Sequence, residues 1–405
     1  MENKWVRAAI PALLIHMSIG TVYCWSVFKA TIATQINSSP AKVEWGFSIA
    51  IFFLGMSAAF GGRFVEKNIK KASFASMIFF VAGLLGTGLS IHFKSLLGIY
   101  LSYGVIMGIG LGIGYLTPVK NLMLWFSKHK GLGTGLAVAG FGLAKVVATP
   151  LMEKLLLSVG LVKMFYILAC FYAVLMFIAY LLIQRPADYK PSPESSQIKK
   201  ATILKQPLFI SIWFIFYLNI TCGLALISQE KDILHVVLEQ KGYSETTIIG
   251  WIAVVLSLDA LFNAFGRLGY SSLSDKLKNR DTSYRILLAA EVLVTLLVVV
   301  TGAIDNGFIP IILLMLFVVN ASYGGGFSTL PVLLEQYFGM SNISMIHGLA
   351  LSAWAFAGLS GNQLSSLIVN KLQLSYGIVI VVIFVLYLLA FVLMILSRKL
   401  KPVKL

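Results

Sequence analysis

Gln184-Arg185-Pro186-Ala187-Asp188-Tyr189-Lys190-Pro191-Ser192-Pro193-Glu194-Ser195-Ser196 opens the longest polar stretch of this 405-residue chain. Its prolines, serines and charges cannot bury a core, so 184–206 reads as a linker. Outward from it, in both directions, the chain is a succession of apolar runs long enough to cross a bilayer as helices. Six precede the linker, at about 8–28, 45–63, 73–91, 97–119, 131–152 and 161–183. Six follow, at about 207–228, 247–270, 285–303, 309–334, 347–369 and 377–396. The expected fold is an all-α membrane protein of twelve spans, with a bundle at 1–183, a linker at 184–206 and a second bundle at 207–405.

Composition agrees. The chain is 58% hydrophobic and 12% charged, with 35 Gly and a mean hydropathy of +0.88. A soluble chain carries about 25% charged residues, so much of the usual solvating surface is missing. A net charge of +16 would point to nucleic acid on a soluble chain. Here the basic residues stand in short loops between apolar runs, which excludes that reading. With the N-terminus in the cytoplasm, 21 Lys and Arg fall on inside loops and eight on outside loops, while Lys120, Lys145 and Arg267 lie within spans. The positive-inside bias therefore puts both termini in the cytoplasm. The first run continues into Lys29 without a small-residue cleavage site, so it reads as a retained span. Cys24, Cys170 and Cys222 are scattered in apolar runs, and no metal site or cofactor is expected.

The two halves echo each other at a shift of 213 residues. Pro118-Val119 matches Pro331-Val332, Gly135-Leu136-Ala137 matches Gly348-Leu349-Ala350, and Leu151 matches Leu364. A second echo lies after the second and eighth spans. Gly62-Arg63-Phe64-Val65-Glu66-Lys67 precedes Lys70-Lys71, and Ser274-Asp275-Lys276 precedes Arg280. An acid followed by bases at a tight turn can cap helix ends and bridge neighbours, so Gly62, Glu66, Lys67, Asp275, Lys276 and Arg280 read as structural. A duplicated six-helix unit joined by a basic linker is the plan of many secondary transporters, with the substrate between the halves.

On these residues the chain resembles the major facilitator superfamily, with both loop motifs as degenerate copies of its loop signature: Glu66 stands for the usual Asp, and Ile69 and Lys278 for the usual Gly. More narrowly it resembles the oxalate/formate antiporter family and the related monocarboxylate transporters. That likeness rests on Gly20-Thr21-Val22-Tyr23-Cys24-Trp25-Ser26-Val27-Phe28, on Gly135 through Gly142, on Asn263-Ala264-Phe265-Gly266-Arg267, and on Tyr323-Gly324-Gly325-Gly326-Phe327.

A charge inside hydrocarbon costs about 2.5–3.5 kcal/mol by insertion scales, so each one needs a reason. Arg267 on the eighth span is the sharpest case. Asn263 is one helical turn away and Asp259 two, so the three share a face. Guanidinium keeps its charge anywhere, and its planar fork pairs with a carboxylate through two parallel hydrogen bonds. A structural pairing with Asp259 or with the loop motif is the competing reading. The resemblance implies that the eighth span supplies the carboxylate-binding Arg with Asn263 beside it. It also implies a Lys on the eleventh span of oxalate carriers, where this chain has Trp354-Ala355-Phe356-Ala357-Gly358; a monocarboxylate is favoured over oxalate. Lys145 answers Gly358 in the repeat and is a candidate for the displaced second charge, or else a snorkelling Lys.

The resemblance further ties Lys29, at the end of the first span, to proton and anion binding; an interfacial Lys is the plainer reading. Tyr23, Tyr115, Tyr323 and Trp354 lie on helices that line the cavity in this superfamily, and Trp354 matches Phe141 under the repeat. Asp259 and His16 are the proton-coupling candidates. Glu291, Glu335 and Lys120 read as structural groups near the cytoplasm.

The expected function is secondary active transport of a small carboxylate by alternating access, as proton symport or anion antiport, by a monomer in the plasma membrane (the inner membrane in a Gram-negative cell). A non-transporting sensor of the same fold and a carrier of another solute class are the alternatives. No enzyme is expected, because no nucleophile–base pair or metal cluster gathers at one depth, and no nucleic acid.

Overall fold

The structure, a computed structural model, describes residues 3–189 and 198–400. Lys190 and the linker segment 190–197, with Lys401 and Lys404, lie outside the described residues. Within them, twelve helices are long and apolar enough to cross a membrane, and no strand occurs. Before the linker come α1 (Trp5–Gln35), α2 (Pro40–Lys67), α3 (Ile69–His92), α4 (Leu96–Trp125), α5 (Lys130–Val159) and α6 (Leu161–Leu182). After it come α7 (Pro207–Gln240), α8 (Glu245–Lys276), α9 (Asp281–Thr301), α10 (Ile309–Phe338), α11 (Ile343–Lys371) and α12 (Tyr376–Ser397).

Most helices outrun the apolar windows that announced them, because hydrogen bonding continues past the hydrocarbon into the polar ends. The difference matters most at α7, which runs to Gln240 rather than ending near 228. Residues read as an outside loop, Glu230 and Lys231 among them, are therefore helical. Local signals still mark the starts. Pro40 and Pro207 occupy first helical positions, where a missing N–H costs nothing. Ser39 and Asn68 accept hydrogen bonds from the backbone N–H three residues on, capping α2 and α3.

Within the first half α1 packs on α5, α2 on α4 and α3 on α6; within the second α7 packs on α11, α8 on α10 and α9 on α12. The halves meet along two related seams, α2 with α11 and α5 with α8. The repeated triplets lie on these seams. A Cβ added at Gly135 would stand 3.0 Å from the Arg267 carbonyl oxygen on α8, and one at Gly348 would stand 3.0 Å from the Ala58 carbonyl carbon on α2. Only glycine lets the backbones come this close, as at small-residue crossings generally.

The loop acids close the same end of the seams. Asp275, at the end of α8, accepts from the Gly131 and Leu132 N–H groups at 2.8 and 2.9 Å, capping α5. Glu66, at the end of α2, accepts from the Ser344 N–H at 3.2 Å, at the start of α11, and pairs with Lys120 of α4. Lys130 of α5 binds Glu335 of α10 at 2.7 Å, and Arg280 lies 3.9 Å from Asp275 and 3.8 Å from Glu335. Carboxylates at helix N-termini answer the free N–H groups and the positive end of the dipole. The linker docks on this end too: Arg185 donates to the Val65 and Glu66 carbonyls and Arg63 to that of Ile198. Lys67 and Lys276 stand on its exposed rim.

Glu291 departs from expectation. Instead of lying near a water-facing end it sits mid-way along α9, fully buried, with both carboxyl oxygens accepting from the Asn219 amide at 2.9 Å. It belongs to the interior of the second half.

Candidate functional site

At the end of the molecule opposite the capped seams, the halves part around a cavity of about 490 Å³. Its wall carries Lys29 and Glu44 near the mouth, Lys145 from α5, Glu230 from α7, Asp259 and Asn263 from α8, and Tyr23, Asn320 and Tyr323 deeper in. Tyr23 on α1 and Tyr323 on α10 meet at the floor, hydroxyl to hydroxyl at 3.3 Å, one from each half.

Arg267 lies directly beneath, 1% exposed. Its Nε donates to Asn263 Oδ1 at 2.9 Å, and Nη1 makes a longer bond to the Val138 carbonyl at 3.4 Å. Asn263 is itself fixed, its Nδ2 donating to Asn320 Oδ1 at 2.9 Å. The guanidinium carbon stands 5.4 Å from the ring centre of Phe327 and 5.9 Å from that of Phe141, within cation–π range of both. The Tyr115 hydroxyl lies beside it without a well-aligned hydrogen bond. Among the described residues no acid stands within ion-pair distance of Arg267. The competing reading, an internal pair with Asp259, is thereby corrected: Asp259 faces Glu230 of α7, not the Arg two turns further along its own helix.

Below the guanidinium the aromatics form a plug. Trp354 touches Phe327 at 4.5 Å between ring centres, Tyr115 at 5.5 Å and Phe141 at 5.8 Å. Phe141 and Trp354, matched by the repeat, thus meet across the two halves. Tyr115 and Trp354 do not line the cavity as expected; with the seams shut on their side, both are sealed beneath it. Tyr23 and Tyr323 make its floor. His16 is also away from the cavity, fully buried, its ring 5.2 Å from that of Tyr115 and its Nε2 3.1 Å from the Tyr115 carbonyl oxygen. Close packing around α1 and α4 separates it from the cavity.

The lysines divide. Lys29 lines the mouth but is held by Glu44 at 2.6 Å, both about one-third exposed, so its charge is largely answered. Lys145 also lines the cavity, rather than snorkelling away from it, and has no ion pair among the described residues. Gly358, its counterpart in the repeat, is packed against Ile51 of α2, where a Cβ would lie 2.5 Å from Cγ2. A side chain there would have to displace Ile51.

Sequence reading missed Glu230, Glu44 and Asn320. Glu230 had a legible signal: Leu226, Glu230, Ile233, Leu234 and Val237 recur at helical spacing, and all are buried. Glu44 and Asn320 had none, since their roles depend on partners from distant helices.

Comparison with known proteins agrees with this architecture. The family model described as Major Facilitator Superfamily matches residues 12–362. An uncharacterized MFS-type transporter of Escherichia coli (strain K12), YhjX, is 24% identical over 86% of this chain and 84% of its own length. The oxalate:formate antiporter of Oxalobacter formigenes is 22% identical over 100% of this chain and 94% of its own. Among solved structures, a bacterial homologue of the iron transporter ferroportin in an outward-facing state superposes with a TM-score of 0.74 at 15% identity, covering 96% of this chain and 98% of that one. Twelve apolar helices with internally echoed seams, and a family match over most of the sequence, make this chain a multi-pass membrane transporter protein of the major facilitator superfamily.

Proposed function

We propose that the protein carries a small monocarboxylate across the plasma membrane by alternating access, with both termini in the cytoplasm and a monomer as the working unit. One observation carries the reading: the Arg267 guanidinium is buried beneath the cavity floor, oriented by Asn263, with no acid to neutralise it. A carboxylate entering between Tyr23 and Tyr323 answers that charge through the planar fork. Asn263 then sets the orientation, the tyrosine hydroxyls donate hydrogen bonds, and Phe141 and Phe327 supply the apolar walls.

Differential binding drives the cycle. A cavity left with a net positive charge resists closing between apolar walls, because desolvating that charge is costly. An occupied one closes. The lack of a basic residue in Trp354-Ala355-Phe356-Ala357-Gly358 supports one negative charge on the cargo rather than two. The likeness to an oxalate:formate antiporter supports a small carboxylate as the cargo.

Uptake of radiolabelled lactate, pyruvate, formate and oxalate into proteoliposomes, with and without a pH gradient, tests the reading. Saturable flux of at least one monocarboxylate, lost in Arg267→Lys, is expected. Ligand binding without flux identifies a sensor instead, and flux confined to neutral or cationic solutes removes the carboxylate assignment.

A further inference from the structure

Halfway down the cavity wall, Glu230 of α7 and Asp259 of α8 turn their carboxyl groups toward each other, each residue only 3% exposed. They are close enough to share a hydrogen bond when one of them carries a proton. Each also has a buried oxygen, Glu230 Oε1 and Asp259 Oδ1, with no hydrogen-bond partner. Across the cavity, from the other half of the molecule, stands Lys145, whose positive charge acts on both.

The surrounding charges decide what the pair can do. At the mouth Lys29 is bound to Glu44, and on α7 Lys231 is followed by Asp232, so these four cancel. The neighbours from α1 and α10, Tyr23 and Tyr323, are neutral phenols. What remains is Lys145 in the wall and Arg267 buried beneath the floor, against Glu230 and Asp259. With both acids ionised the cavity is balanced and has no net attraction for an anion. With one proton on the pair it holds a single positive charge, enough for one monocarboxylate. Two carboxylates this near, largely out of water, also resist being ionised together.

We propose that Glu230 and Asp259 form the proton site of the carrier, sharing one proton whose arrival makes the cavity receptive to one carboxylate anion. This rests on the carboxylate reading above and makes the coupling an electroneutral proton symport. The proton comes from water on the open side to a carboxylate oxygen of the pair. It departs to water on the other side after the halves rock, once the anion has left. Lys145 then faces both ionised acids across the cavity and holds the empty carrier in balance for its return.

Two measurements test this. Infrared difference spectroscopy of the purified protein, titrated in detergent without any carboxylate, should show a protonated-carboxyl band that disappears on raising the pH and is missing in both Glu230→Gln and Asp259→Asn. A band untouched by either substitution overturns the proposal. In proteoliposomes with labelled pyruvate as the probe, the ratio of gradient-driven accumulation to equilibrium exchange should fall at least tenfold in Glu230→Gln and recover in Glu230→Asp. An unchanged ratio overturns the proposal as well. If the wild type moves no carboxylate, the carrier reading fails, and the infrared titration alone decides whether the proton site exists.

Discussion

Replacing Arg267 with Lys keeps a positive charge and removes the fork. A single ammonium cannot make the two parallel bonds to a carboxylate, nor hold Asn263 Oδ1 in the geometry that Nε gives it at 2.9 Å. Carboxylate flux is expected to drop by about 100-fold, the order of losing a charge-assisted bond, while the protein still inserts and elutes as the wild type does. Uptake assays with a size-exclusion profile check both. Tyr23→Phe is a gentler probe. It removes one hydrogen bond, to Tyr323, that joins the halves at the floor. A net bond is worth about 1 kcal/mol, so the balance between open and shut cavity should move about fivefold, read as a changed apparent affinity for pyruvate.

At the scale of helices, the seams depend on residues without side chains. Gly135→Val would drive its Cβ against the Ser271 side chain, the Arg267 carbonyl and Leu268 of α8. The same change at Gly348 meets Ala58 and Leu116. Each substitution is expected to cost about 1–3 kcal/mol, the usual range for overpacking, and to abolish transport by prising α5 from α8 or α2 from α11. Thermal unfolding in detergent measures the first effect and uptake the second. Gly269, also on α8, has nothing within 4 Å of an added Cβ, so Gly269→Ala should leave both properties near wild type. These glycines were legible in sequence as repeats, but a repeat does not say which helix lies opposite. That Gly135 faces α8, and Gly348 faces α2, follows from the packing of the halves alone.

For the molecule as a whole, the capped end and the open cavity are two aspects of one conformational balance. Asp275 holds the start of α5 with two charge-assisted hydrogen bonds, each worth about 1.5–3 kcal/mol. Glu66 holds the start of α11 and the Lys120 ammonium. Asp275→Ala, alone or with Glu66→Ala, should shift the population toward the state open at the capped end. Ser271, fully buried against Gly131 on that seam, is the place to look. A cysteine introduced there should react with a water-soluble thiol reagent at least tenfold faster in the Asp275→Ala background. Equal rates would show that the caps do not set the balance.

Hydropathy and the 213-residue echo by themselves determined the class of molecule and the number of spans. A bilayer demands long apolar helices, and a duplication leaves its spacing in the chain. Arg267 and Asn263 were legible for a related reason: a guanidinium in an apolar run is conspicuous, and a residue one turn away shares its face. The partners of these groups belonged to the tertiary structure. Asp259, two turns from Arg267 on the same helix, turns instead to Glu230 of α7. His16, Tyr115 and Trp354 end up beneath the cavity rather than around it. Helical periodicity fixes which residues share a face, but which face meets which is settled only when helices far apart in sequence pack side by side, and that packing decides where water, and hence a substrate, can reach.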